Sequence, residues 1–278
     1  MGMRINTNIA SIAGQRRLLE TQNDQTKTLQ HLSSGLRITS ASEDSAGLSI
    51  SDHLRGQVRS LQQANRNAND GVSLVQVAEG GLNEVSNILI RLRELSIQAA
   101  SDTVGDKERG FINQEYQALK SEVDRIAAAT NFSGTPLLNG EAKKGTLEFQ
   151  VGAYNTASDR IEFKVDQFDT RTDHLGISSA NTLDIDSARD SLSEIDKALD
   201  NVNGYRASLG ALQNRLNSTS NSLNVAIENM SAASSRVRDA DLAVETANLA
   251  KQSILKQAGI AVLSQANQEP ALALRLIS

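Results

Sequence analysis

Between Ser42 and about Ala100, apolar residues recur at Leu54, Val58, Leu61, Ala68, Val72, Val75, Leu82, Val85, Leu89, Leu92 and Leu95. The steps are mostly three and four residues, with an occasional skipped position. That is a narrow stripe on one helix face, close to a coiled-coil seam. Ser42, followed by Glu43 and Asp44, predicts the N-cap and an acidic first turn. A helix of about 57 residues here would span roughly 85 Å. Gly80-Gly81 is its weak point, at about 1 kcal/mol per glycine relative to alanine. The pair predicts a tolerated kink, the alternative being a site of close helix approach. A second helix is predicted from about Asp106 to Ala129, with Phe111, Glu115, Leu119, Val123 and Ile126 on one face. From about Asp184 the helical period returns through Leu192, Ile195, Leu199, Val202, Tyr205, Leu209, Leu212, Leu216, Leu223, Ile227, Met230, Ala233 and Val237. This seam has the length to lie antiparallel to the first long helix.

Between these helices the period changes to two. Leu147, Phe149 and Val151 alternate with polar residues, and so do Ile161, Phe163 and Val165, with Gly152 to Asp159 joining the two runs. The pattern predicts a β-hairpin with one buried face. Two strands alone are marginal, and with Phe168 the region carries three of the five phenylalanines, so the hairpin is expected to cap a helical core. The stretch from Asn131 to Gly145, with Ser133-Gly134, Pro136 and Asn139-Gly140, is rich in turn formers and predicts a connection.

The two ends behave differently. Residues 4–36 carry Ile5, Ile9, Ile12, Leu19, Leu29, Leu32 and Leu36, but the polar Arg16, Asn23 and Thr26 fall where that seam would continue. Residues 242–263 are alanine-rich, with Leu242, Leu249, Ile254, Leu255, Ile260, Val262 and Leu263 spread too broadly for a solvated helix. Apolar end segments without a local partner predict folding against other molecules.

Composition narrows the function. There are 28 Lys+Arg against 33 Asp+Glu, a net charge of −5, and only 2 Pro, 3 Tyr and no Trp. Few aromatics and few prolines favour long packed helices, a mainly α fold, over a many-layered globule. With no cysteine there is no disulfide framework and no thiolate chemistry. A pI near 5.3 without a basic run argues against nucleic acid as a partner. No apolar stretch of about 18 residues is present, so no helix is expected to insert in a membrane. The N-terminal run lacks a charged-then-apolar leader pattern, which taken alone predicts a cytoplasmic protein. His31, His53 and His174 share no metal-ligand spacing, and no zinc-protease, phosphate-loop or nucleophile-elbow motif occurs. No catalytic, cofactor or metal site is expected, and the chain does not read as an enzyme.

Several runs carry a resemblance. Leu32-Ser33-Ser34-Gly35-Leu36-Arg37-Ile38, Ser42-Glu43-Asp44-Ser45-Ala46-Gly47-Leu48, Asn65 to Gly71 and Arg93-Glu94-Leu95 stand in order in the first half. Leu209 to Leu216, Ser235 to Asp241, Gln257-Ala258-Gly259-Ile260 and Gln265-Ala266-Asn267-Gln268 follow in the second. Over residues 3–168 and 183–277 the chain resembles bacterial flagellin, the subunit of the flagellar filament. It departs from the family at Met1-Gly2 before the usual start, at Gly80-Gly81 and at the terminal Leu276-Ile277-Ser278.

The resemblance implies an elongated antiparallel helical rod at 44–235, with its hairpin at about 146–165. Residues 1–43 and 236–278 would be the terminal helices that form the filament core, and outer domains would be missing. It implies a structural subunit that polymerises for swimming motility, the alternative being a hook–filament junction protein. The polymerisation interface would be Ile5, Ile9, Ile12, Leu249, Ile254, Leu255, Val262 and Leu263. Arg91, Leu95 and Glu115 would match the family's positions for a host Toll-like receptor, with Arg91 and Leu95 on one helix face. Implied partners are further copies of the chain, an export chaperone, cap and junction proteins, and other flagellin isoforms. The resemblance also replaces the cytoplasmic expectation with secretion into an extracellular filament.

Overall fold

The computed structural model describes residues 7–141 and 145–277, with the backbone alone for 269–277. It is mainly α. Three long helices, α1 (Ile9–Ser34), α2 (Ser45–Ala99) and α3 (Asp106–Ala129), precede two short hairpins, β1 (Asn131–Phe132) with β2 (Thr135–Pro136) and β3 (Thr146–Gln150) with β4 (Arg160–Lys164). A one-turn helix α4 (Thr172–Leu175) leads to α5 (Ile185–Arg238) and α6 (Leu242–Ile277). The chain forms two compact units, Met1–Val58 with Asn229–Ser278, and Arg59–Glu228. The boundaries between these units fall inside α2 and α5. The first turns of α2 and the last of α5 belong with the ends, because Arg238 pairs with Asp52 at 3.2 Å and Arg37 donates to the Val237 carbonyl at 2.7 Å.

In the Arg59–Glu228 unit, α2 and α5 run antiparallel. Asn65 Nδ2 donates to Asn224 Oδ1 at 2.6 Å and Arg93 Nε to Asp196 Oδ1 at 2.7 Å. The separation of Asn65 from Arg93 along α2 equals that of Asp196 from Asn224 along α5, as expected of two straight-running partners of equal rise. The predicted stripes form the core: Leu82, Leu89 and Leu92 of α2 and Ile195, Val202, Leu209 and Leu216 of α5 are fully buried. The N-cap of α2 is Asp44, whose Oδ1 accepts from the Gly47 amide at 2.8 Å. Ser42, the predicted cap, instead shares a hydroxyl hydrogen bond with Ser40. The helix passes through Gly80-Gly81 as one continuous element. A methyl group at Gly80 would meet nothing within 4 Å, whereas one at Gly81 would lie 2.7 Å from both Leu138 Cδ1 and Thr130 Oγ1. Gly81 is therefore a point of close approach, and what approaches it is the turn after α3 rather than a helix.

Helix α3 has its predicted limits, but its inward face is rotated from the predicted one. Ile112, Tyr116, Val123 and Ala127 are buried, together with Arg109 and Lys120, while Phe111 is 69 % exposed. The two charged residues interrupt the apolar stripe in sequence. Each is satisfied inside: Arg109 donates to the carbonyls of Ala99 and Ser101, closing the C-terminal end of α2, and Lys120 Nζ to those of Ser178 at 2.7 Å and Ala180 at 3.0 Å.

The β3–β4 register places Leu147 opposite Phe163 and Phe149 opposite Ile161. Ile161 and Phe163 are buried, and Phe168 stacks obliquely between Phe163 and Tyr205, with centroids 5.1 and 5.4 Å away. The hairpin thus closes one part of the helical core, which gives two marginal strands a face to bury. The β1–β2 pair lies within the stretch read as a plain connection. Its turn is Ser133-Gly134, at φ 49° and 80°, where glycine and a small polar residue tolerate the left-handed region. The 169–182 segment is tied down along its length. Thr170 donates twice to the Leu138 carbonyl, and the Thr172 amide and hydroxyl donate to the two oxygens of Asp124 at 2.8 and 2.9 Å.

Candidate functional site

The candidate site is a surface. The unit formed by the chain ends supplies it. Asn8 caps α1 by accepting the Ser11 amide at 3.0 Å, and Gly35, at φ 70°, ends the helix by donating to the His31 carbonyl. Asp241 caps α6 by accepting the Ala243 and Val244 amides. Between the helices, Leu36 bridges to Asp239 and the Ala240 amide donates to the Gly35 carbonyl at 2.9 Å. The end of α1 and the start of α6 therefore meet at one stapled junction, and the two helices lie antiparallel along each other.

The seam between them is polar. Asn8 Nδ2 donates to the Ala266 carbonyl at 2.7 Å, Ser11 Oγ to Asn267 Oδ1 at 2.8 Å, Gln25 Nε2 to Ser253 Oγ at 3.2 Å and Gln252 Nε2 to Thr28 Oγ1 at 3.1 Å. Ser11 and Thr28 are buried there. Leu263 packs 3.4 Å from where a Gly14 methyl would stand, and Leu18 lies 3.5 Å from that of Gly259. Small residues and hydrogen bonds, more than leucines, hold the pair.

The apolar residues point outward. Among the described residues, four large ones on α1 (Ile9, Ile12, Leu19, Leu29) and six on α6 (Leu242, Val244, Ile254, Leu255, Ile260, Val262) are exposed, Ile254 at 66 % and Val262 at 63 %. A soluble monomer seldom leaves so much apolar surface uncovered, and patches of this kind mark contact with another molecule. Of the expected interface, Ile9, Ile12, Ile254, Leu255 and Val262 lie on this outer face. Leu249 and Leu263 are half-buried, and Ile5 lies outside the described residues. Leu19, Leu29 and Ile260 share the outer face and were not in the expected set. A helical-wheel test that put Asn8, Ser11, Gln25 and Thr28 on the seam would have found them.

The other expected set splits. Arg91 bridges α2 and α3 on the surface, reaching Glu115 Oε1 at 2.9 Å and Glu94 Oε2 at 2.9 Å. Leu95 is only 2 % exposed and belongs to the core. Arg91 and Leu95 thus do not share an exposed face: the four-residue step carries the chain from the helix edge to its inner side. Among the described residues no helix is long and apolar enough to cross a membrane, and no cluster of potential metal ligands occurs.

Known proteins show the family to which the chain belongs. Residues 5–143 match the bacterial flagellin N-terminal helical region and residues 192–277 the bacterial flagellin C-terminal helical region. The chain is 40 % identical to a flagellin of Halalkalibacterium halodurans over 275 residues, covering 99 % of this chain and 100 % of that one. It is 41 % identical to a flagellin of Bacillus subtilis over 307 residues, again covering 99 % and 100 %. A crystal structure of Bacillus cereus flagellin superposes with a TM-score of 0.50 at 31 % identity, covering 57 % of this chain and 88 % of that one. With both helical regions matched in order and relatives aligned from end to end, the chain belongs to the bacterial flagellin family.

Proposed function

We propose that the chain polymerises through the outward apolar faces of α1 and α6, with Ile9, Ile12, Ile254, Leu255 and Val262 supplying contacts between copies. As a flagellin it is a structural subunit of the flagellar filament and not an enzyme, and the junction-protein alternative is not better supported. The observation that carries the interface is the inverted helix pair, polar at its seam and apolar outside. Burying one such side chain contributes about 1.5–3 kcal/mol. Several side chains per copy make association favourable where neighbours cover both faces. Contacts of this kind join two different surfaces and grow without closing. The short 169–182 segment, hydrogen-bonded along its length, supports a subunit lacking outer domains. The same faces fit an export chaperone before assembly, and cap and junction proteins or other flagellin isoforms at filament ends, in an extracellular filament reached by secretion.

The test uses the full chain with Ile254→Glu and Val262→Glu together. Both positions are largely exposed, so the monomer should keep its helical circular dichroism while failing to add to filament seeds in a pelleting assay. Seeded growth at the unaltered chain's rate would refute this interface.

A second reading rests on the Arg91–Glu115 bridge. Two helices present a paired cation and carboxylate at one surface point, which supports recognition by a host Toll-like receptor. Leu95 would contribute there only by supporting α2 from beneath.

A further inference from the structure

His31, in the last turn of α1, lies between two carboxylates from distant parts of the chain. Its Nε2 is 3.0 Å from Glu43 Oε1, in the connection to α2, and its Nδ1 is 3.2 Å from Glu245 Oε1, in the first turn of α6. All three side chains are mostly buried, at 14–20 % exposure. An ionised carboxylate only accepts hydrogen bonds, and a neutral imidazole has one N–H and one lone pair. Both contacts can therefore be hydrogen bonds only if both ring nitrogens carry protons. The position favours that charge independently, since the C-terminal end of a helix attracts cations. Burial opposes the charge, but the hydrogen bonds and charges of Glu43 and Glu245 outweigh it and hold the His31 pKa above its ordinary 6.5.

The two carboxylates are not equally anchored. Glu43 Oε2 also accepts from the Thr39 amide at 2.7 Å, the Thr39 hydroxyl at 3.0 Å and the Ser40 amide at 3.3 Å. The Thr39 amide first, then His31, holds the Glu43 pKa down to about 2. Among the described residues, Glu245 has His31 as its side-chain partner. The neighbouring arginines are committed elsewhere, Arg37 to the Val237 carbonyl and Arg238 to Asp52. On α1 itself Lys27 is the nearest cation in sequence, one turn earlier.

We propose that His31 is a proton-operated clasp: doubly protonated, it ties the start of α6 to the end of α1 and to the 39–43 connection, and loss of one proton releases Glu245 and loosens α6. A lone pair then faces a carboxylate oxygen, and the link to Glu245, without the other supports that Glu43 has, is the one that opens. The stabilisation is fully present below pH 6.5 and is lost as pH rises through the His31 value in the folded chain. Because α6 carries most of the outward apolar residues, the clasp makes filament cohesion weaken towards alkaline pH. This part rests on the polymerisation interface proposed above.

The experiment uses full-length chain labelled with 15N-histidine and assembled on seeds. Ring-nitrogen NMR follows the three histidines from pH 6 to 10, with His31 assigned by its absence in His31→Gln. His31 should retain both protons at least one pH unit above 6.5. Soluble subunit released from the same filaments should rise by up to about tenfold per pH unit between pH 6.5 and the His31 midpoint and level off above it, and His31→Gln should lack that rise. A His31 midpoint at or below 6.5, or the same rise in His31→Gln, overturns the clasp. If the chain does not assemble, the interface reading fails, and the same titration on soluble chain still decides the clasp.

Discussion

Alanine at two adjacent glycines of α2 should move stability in opposite directions. In a helix interior, Gly→Ala gains about 1 kcal/mol from propensity. Gly80 is exposed, and a methyl there meets nothing within 4 Å, so Gly80→Ala should stabilise by about that amount. At Gly81 the same methyl would lie 2.7 Å from Leu138 Cδ1, 2.7 Å from Thr130 Oγ1 and 3.0 Å from Thr130 Cγ2. These atoms have little room to retreat. Leu138 is fully buried with its carbonyl bound twice by Thr170, and Thr130 Oγ1 donates to the Ile126 carbonyl at 2.8 Å. Overpacking of this sort costs about 1–3 kcal/mol, which cancels the propensity gain and leaves Gly81→Ala about 0–2 kcal/mol less stable than the parent. The two variants should differ by about 1–3 kcal/mol. With a urea dependence of about 2 kcal/mol per molar, their midpoints should lie about 1 M apart by helical circular dichroism. Gly81→Ala melting at or above Gly80→Ala would show that the turn after α3 does not press on the helix, and the close-approach argument would fall.

Lys120→Met should leave the Ser178 and Ala180 carbonyls without their donor and destabilise by about 2 kcal/mol, with faster amide exchange over residues 177–182. An unchanged urea midpoint would show that water replaces the ammonium at no cost. Arg91→Ala removes an exposed ion pair, so stability should change by less than about 1 kcal/mol. Signalling in Toll-like receptor reporter cells should nevertheless fall, and undiminished signalling would remove Arg91 from the recognition surface.

The elements that read clearly from sequence are those whose partners are apolar. The stripes of α2 and α5 and the alternation of Ile161 and Phe163 each mark a face that must leave water, and burial follows period. Where polar groups do the joining, the pattern misleads. Arg109 and Lys120 break the inner stripe of α3, so Phe111 is taken for a core residue although it faces solvent. Ser42 reads as the cap with Asp44 in the first turn behind it, but the chain path makes Asp44 the cap, because its carboxylate is the group that reaches the Gly47 amide. At the ends the pattern shows the apolar residues but not the seam. Ile9, Ile12 and Leu19 are exposed, while Ser11, Gln25 and Thr28 face α6, and hydrogen-bonding side chains leave no period for a sequence reading to follow.

A leucine seam tolerates slippage, because one leucine is much like the next. The α1–α6 seam does not. A slide of one turn, about 5.4 Å, would part Asn8 from the Ala266 carbonyl, Ser11 from Asn267, Gln25 from Ser253 and Gln252 from Thr28 at the same moment. Each buried group left unmatched costs about 1–3 kcal/mol. The seam therefore works as a vernier, admitting one axial offset and rejecting its neighbours. That matters most for a polymer that never closes, since a subunit set one notch out would pass its error to every copy added after it.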